Sequence, residues 1–68
     1  MTPTQKRVLD LTSNYIEEHG YSPSDADIAK MLRVSQQAVN RTMRRLAERG
    51  YITKMKYIPR SVKILKAA

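Results

Sequence analysis

Two helical patterns separated by only three residues limit what this chain can fold into more than any other feature. Before the break, Ser24 precedes DADIAKML, in which Ile28, Ala29 and Leu32 recur at helical spacing. After it, Ser35 precedes QQAVNRTMRRLAER, in which Val39, Met43 and Leu46 do the same, with Ala38 and Ala47 beside them. The residues between, Arg33-Val34-Ser35, can form nothing longer than a tight turn. Each serine can cap the helix it precedes, because its hydroxyl oxygen accepts from a free N–H of the first turn. Asp25 and Asp27 stand where a helix dipole favours acids, and Gly50 supplies a left-handed stop. The spacing predicts helices over about 25–32 and 36–49.

Upstream, Thr2-Pro3-Thr4-Gln5 offers a cap, proline at the first helical position and a glutamine that can reach back to the cap. Val8, Leu11, Tyr15 and Ile16, joined by Leu9 and Thr12, then form an apolar pattern that ends at Gly20, predicting a helix over about 3–19. Downstream, Tyr51 to Lys56 and Ser61 to Leu65 are rich in β-branched and aromatic residues, with Tyr57-Ile58-Pro59-Arg60 between them. This predicts a two-stranded hairpin over about 51–65, its proline in the connection and out of the ladder. Val62 and Ile64 share a face, and Ile52 shares its face with Lys54 rather than with Met55.

A chain of 68 residues is one domain, spanning 1–68, and buries only about 60% of the surface its unfolded form exposes. It contains no cysteine and a single histidine, His19, which excludes a disulfide framework and a thiolate zinc site and leaves no second imidazole for a metal. No cofactor is expected. Nor is a membrane partner, since no run approaches the ~20 apolar residues of a span and the N-terminus lacks the apolar core of a signal peptide; the default is a cytoplasmic protein. The charge is strongly polarised. Residues 1–29 hold Lys6 and Arg7 against Asp10, Glu17, Glu18, Asp25 and Asp27, net −3, whereas residues 30–68 hold eleven Lys or Arg against Glu48 alone, net +10. Such polarity implies a polyanionic partner, most often nucleic acid and less often an anionic membrane surface.

The polar side chains of the third helix give that implication a place. Val39, Met43 and Leu46 form its apolar stripe, so Gln36, Gln37, Asn40, Arg41 and Arg44 share the outward face. An amide can donate to and accept from adenine at once, and an arginine can give two donors to guanine. The first turn carries no acid, so a phosphate could supply the anion its dipole favours. In the hairpin, Lys54, Lys56, Arg60 and Lys63 surround the tip Tyr57-Ile58-Pro59 and can lie along a phosphate backbone. Plainer readings stand beside these: Arg44, Arg45 and Arg49 suit a helix C-terminus through the dipole alone, and lysine and proline also protect a strand edge. His19 reads as a helix C-terminal cation, Tyr15 as core and the methionines as filler. A nucleophile, paired carboxylates and metal-ligand spacing are absent, so no enzyme is expected.

The stretch TPTQKRVLDLTSNYIEEHGYSPSDADIAKML resembles the start of LexA-type repressor DNA-binding domains, and IAKMLRVSQQAVNRTMRRLAERGYI resembles the helix-turn-helix of winged-helix regulators. Together they cover about residues 2–65, with Ala29, Val34, Val39 and Leu46 at the spacing of that fold. The resemblance implies a mainly α fold with a small β-hairpin, a three-helix winged helix-turn-helix. It also implies a bacterial or phage transcriptional regulator, repressor-like, that binds double-stranded DNA sequence-specifically. The third helix would enter the major groove through Ser35, Gln36, Gln37, Asn40, Arg41 and Arg44. Ser24, Arg45 and the wing residues Lys54, Lys56, Tyr57 and Arg60 would meet flanking backbone.

Two departures limit what the resemblance implies. The chain ends at Ala68 without an Ala-Gly cleavage pair or a Ser/Lys dyad, so the self-cleaving peptidase half of such repressors is not carried over. The turn at Arg33-Val34-Ser35 is one residue shorter than the LexA-type loop and has arginine where glycine is usual, so operator preference is not carried over either. With only Lys66-Ala67-Ala68 after Leu65, the free protein is expected to be monomeric and to pair on DNA at two half-sites. The rival reading is a protein-interaction module, for example a phage or plasmid factor that binds a host protein through the tip Tyr57-Ile58-Pro59.

Overall fold

A computed structural model describes residues 1–55 and 61–66. In chain order it contains α1 (Pro3–His19), α2 (Asp25–Leu32), α3 (Gln36–Glu48), β1 (Ile52–Thr53) and β2 (Lys63–Ile64). The strands pair antiparallel, Ile52 opposite Ile64 and Thr53 opposite Lys63, which gives a three-helix winged helix-turn-helix.

Each helix begins where its local chemistry satisfies the free N–H groups of its first turn. The Gln5 N–H donates to Thr2 Oγ1 at 3.1 Å while Gln5 Oε1 accepts from the Thr2 N–H at 3.3 Å. Ser24 and Asp27 make the same reciprocal pair at 3.1 and 3.2 Å, and Ser35 Oγ accepts from the Ala38 N–H at 3.1 Å. Glycine ends α1, with Gly20 at φ +80° in the left-handed region. Helix α3 stops at Glu48, one residue short of the expected 36–49. Arg49 turns out of the helix at φ −88°, ψ 0°, and Gly50 then takes φ +79°.

The turn between α2 and α3 does without glycine. Arg33 sits at φ +56°, ψ +44°, and its N–H and that of Val34 both close on the Ala29 carbonyl, wrapping the chain around the end of α2. The left-handed region crowds an arginine Cβ, so this short connection stores strain.

The core is built from one stripe of each helix and the base of the wing. Val8 and Leu9 from α1, Ile28 and Ala29 from α2, Val39, Met43 and Leu46 from α3, and Ile52 and Val62 from the wing are all buried. On α1 the buried stripe is Gln5, Val8, Leu9 and Thr12, whereas Leu11, Tyr15 and Ile16 are only half-buried. The apolar residues of α1 occupy an arc broader than the face that α2 and α3 cover, so periodicity alone selects the wrong edge of it. Tyr15 is therefore not core: its ring lies 4.2 Å from that of His19 and edge-on to Tyr21 at 5.8 Å, in a partly exposed aromatic group at the end of α1. Leu32 is half-buried against the core, while Val34 and Ala47 are exposed, placed outward by the turn and by the last turn of α3. Of the methionines only Met43 fills the core, and Met1, Met31 and Met55 are exposed. The Thr12 hydroxyl is buried with no hydrogen-bond partner among the described residues.

Among the described residues the strands of the wing are shorter than those predicted over 51–56 and 61–65, two paired residues on each side. Hydrogen bonds outside the ladder, most of them involving serine side chains, anchor the wing instead. The Val62 N–H donates to the buried Ser22 Oγ at 3.2 Å, and the Leu65 N–H donates to the Tyr51 carbonyl at 2.8 Å. Ser61 Oγ accepts from the Met55 N–H at 3.0 Å and donates to the Met55 carbonyl at 3.2 Å. Among the described residues no helix is long and apolar enough to cross a membrane.

Candidate nucleic-acid interface

Helix α3 divides into two faces. Val39, Met43 and Leu46 are at most 1% exposed and fix the helix by packing, while Gln36, Gln37, Asn40, Arg41 and Arg44 are all exposed on the opposite side. These five line one open groove, and a sixth residue, Asp25 from the first turn of α2, closes its edge. A second groove, lined by Pro23, Ser24, Asp25, Ala26, Gln36, Lys54, Ser61 and Val62, continues it to the base of the wing. Asp25 and Gln36 belong to both, so the amide and guanidinium face of α3 and the wing form one path.

Hydrogen bonds order part of that path. Asn40 Nδ2 donates to Asp25 Oδ2 at 3.1 Å, and Arg44 donates to Asn40 Oδ1 at 3.4 Å. A carboxylate only accepts and a guanidinium only donates, so these partners dictate which way the Asn40 amide faces. Lys54 Nζ reaches the same Asp25 Oδ2 at 3.2 Å. Lys54 lies one step beyond the Thr53–Lys63 pair, on the side of the hairpin that Ile52 shares. That side carries the buried Ile52, which brings the ammonium to the carboxylate while the Lys54 side chain stays 32% exposed.

The remaining sequence-predicted residues take several positions. Ser24 and Ser35 are both helix caps whose Oγ accepts from the backbone, which leaves each hydroxyl proton available to an acceptor outside the protein. Arg45 is exposed on α3 but does not line either of these grooves. Lys56, Tyr57 and Arg60, with the rest of the tip, lie outside the described residues. Asp25 itself had been readable only as an acid near a helix N-terminus. Its contact with Asn40 spans 15 residues and that with Lys54 spans 29, separations at which the sequence carries no signal.

This surface presents amide donors and acceptors and guanidinium forks along the first groove and the Ser24 hydroxyl along the second, a set suited to base edges and phosphate oxygens. Among the described residues no three His, Cys, Asp or Glu side chains are placed to hold a metal ion.

Comparison with known proteins points the same way. The family model for the LexA DNA binding domain matches residues 1–61. The chain is similar to the LexA repressor of Thermosipho melanesiensis, 38% identical over 66 residues, a match that covers 97% of this chain and 33% of that protein. It is also similar to the LexA repressor of Pseudothermotoga lettingae, 38% identical over 65 residues with 96% and 32% covered. The LexA repressor of Thermotoga maritima is 31% identical over 67 residues, with 98% and 34% covered. The chain thus spans about a third of the length of the curated relatives it matches.

Proposed function

The chain belongs to the LexA DNA binding domain family, and on that premise we propose that it binds double-stranded DNA sequence-specifically as a repressor-like regulator, with α3 in the major groove and the wing on flanking backbone. One observation carries the reading: the five α3 residues that line a single groove are all amides or guanidinium cations. Gln36, Gln37 and Asn40 can each offer a donor and an acceptor to a base edge, while Arg41 and Arg44 can fork onto guanine or pair with phosphate. The buried stripe of Val39, Met43 and Leu46 fixes the helix, so these groups meet DNA already positioned.

Ser35 joins the recognition-helix set, while Ser24, Arg45 and the wing residues Lys56, Tyr57 and Arg60 serve the backbone; Lys54, at the base of the wing, is drawn to Asp25 in the free protein. Phosphate contacts set register and supply salt-dependent affinity without reading sequence. The basic half, net +10 over residues 30–68, suits that role. A single α3 reads a short half-site, so two half-sites about one helical turn apart raise occupancy over one.

Selection of bound sequences from a random duplex pool tests this. An enriched motif, with affinity falling steeply as salt rises, is the expected result. Binding that is weak and insensitive to salt would overturn it and favour a protein-interaction module.

A further inference from the structure

We propose that Asp25 is a positioning residue that sets the specificity of the DNA site. This deepens the reading of the grooves as a DNA interface and rests on it. An acid at the edge of a surface meant for a polyanion weakens binding to every sequence, yet Asp25 is far from a stray surface charge. Its side chain is only 16% exposed, and one oxygen, Oδ2, takes both the Asn40 amide at 3.1 Å and the Lys54 ammonium at 3.2 Å. It is the one carboxylate lining either groove among the described residues.

The two contacts have different consequences. Toward Asn40, the carboxylate uses one of two amide N–H groups while Arg44 uses one lone pair of Oδ1. What remains is one N–H and one lone pair in a fixed orientation, the set that reads adenine. Asn40 is therefore pre-oriented for a base edge, at no ordering cost when DNA arrives. Toward Lys54, the same carboxylate neutralises a wing cation and holds it at the base of the hairpin, away from general use as a phosphate contact. Phosphate repulsion and the withheld lysine penalise all duplexes alike, and only a site that engages the oriented Asn40 recovers the loss. The result is discrimination at the expense of general affinity.

The experiment uses the full chain and two duplexes, the site enriched by selection and a scrambled one, titrated over a range of salt. Asp25→Ala should bind the scrambled duplex more tightly, with the salt slope steeper by roughly one unit as Lys54 becomes free to neutralise a phosphate. The ratio of selected to scrambled affinity should fall about tenfold, the scale of one base contact. Asp25→Asn keeps an acceptor for Asn40 but not the charge, so it should recover most of the preference while keeping the raised scrambled affinity. Lys54→Ala should change the slope little in the parent and by roughly one unit beside Asp25→Ala. The shift difference between the two side-chain amide protons of Asn40 should be larger in the free parent than in Asp25→Ala.

Equal losses on both duplexes, tracking a drop in melting temperature, would make Asp25 a structural helix-start acid and overturn the proposal alone. So would an unchanged ratio. Failure of the parent to bind any duplex would overturn the DNA reading itself.

Discussion

Helix α3 and the wing border the same groove but are held in opposite ways. α3 is locked by Val39, Met43 and Leu46, each at most 1% exposed, so its outward residues inherit the rigidity of the core. The wing has, among its described residues, two paired residues on each strand and depends on Ile52, Val62 and a few polar tethers such as Ser22 Oγ to the Val62 N–H. A rigid element can hold side chains to the geometry that base edges demand, whereas phosphate contacts tolerate looser placement. Under the proposed DNA-binding function, sequence reading falls to α3 and electrostatic grip to the wing, and substitutions can attack either half of that division.

The largest effect should come from the lock. Leu46→Ala should cost about 2–5 kcal/mol of stability, much of the roughly 3–10 kcal/mol available to a chain of this size. A chemical denaturation curve should show the midpoint collapse, and a midpoint near the parent's would mean that α3 is not held by its core stripe. On the opposite face, Arg41→Ala should leave that curve in place and cost about 1–3 kcal/mol on a selected site but much less on scrambled duplex. Equal losses on the two would demote Arg41 to a phosphate contact.

The wing should respond differently. Replacing Lys56 and Arg60 together by alanine should weaken binding about uniformly across sequences and flatten the salt dependence by roughly one to two units of slope. A parent-like slope at every duplex would remove the wing from the interface. Ser22→Ala leaves the buried Val62 N–H without that acceptor and should cost about 1 kcal/mol or more. Hydrogen exchange should locate that loss at the wing, and protection lost across α3 as well would show that the two halves unfold as one unit.

The smallest effect should be a gain. Arg33→Gly relieves the left-handed residue between α2 and α3 and should raise stability by up to about 1 kcal/mol, or a few degrees in melting temperature for a domain of this length. The added freedom of glycine in the unfolded chain opposes the gain. A lower melting temperature would show that Arg33 contributes more through its side chain than its backbone costs.

Much of the scaffold was legible because its signals act over one turn of helix. Thr2 with Gln5, Ser24 with Asp27 and Ser35 with the Ala38 N–H are contacts three residues apart, and they start α1, α2 and α3 where the sequence places them. The alternation of buried and exposed residues along α3 was equally legible, since 3.6 residues per turn separate its two faces whatever packs against them. On α1 the same rule failed: apolar residues on two adjoining arcs left packing to choose Gln5, Val8, Leu9 and Thr12 over Leu11, Tyr15 and Ile16. The candidate site was legible to the same depth, as a set of side chains on one helix and not as a groove.

By itself, then, the sequence determined the helix boundaries to within a residue, the tight turn at Arg33, the two faces of α3 and the concentration of positive charge after residue 29, all properties of near neighbours or of composition. Only the tertiary structure decided that Asp25 closes the groove beside Asn40 and draws in Lys54, and that Ser22 anchors the wing. Those contacts join residues 15, 29 and 40 positions apart. Nothing in the local chain encodes them, because they exist only once α2, α3 and the hairpin have packed around a common core and brought their polar edges together.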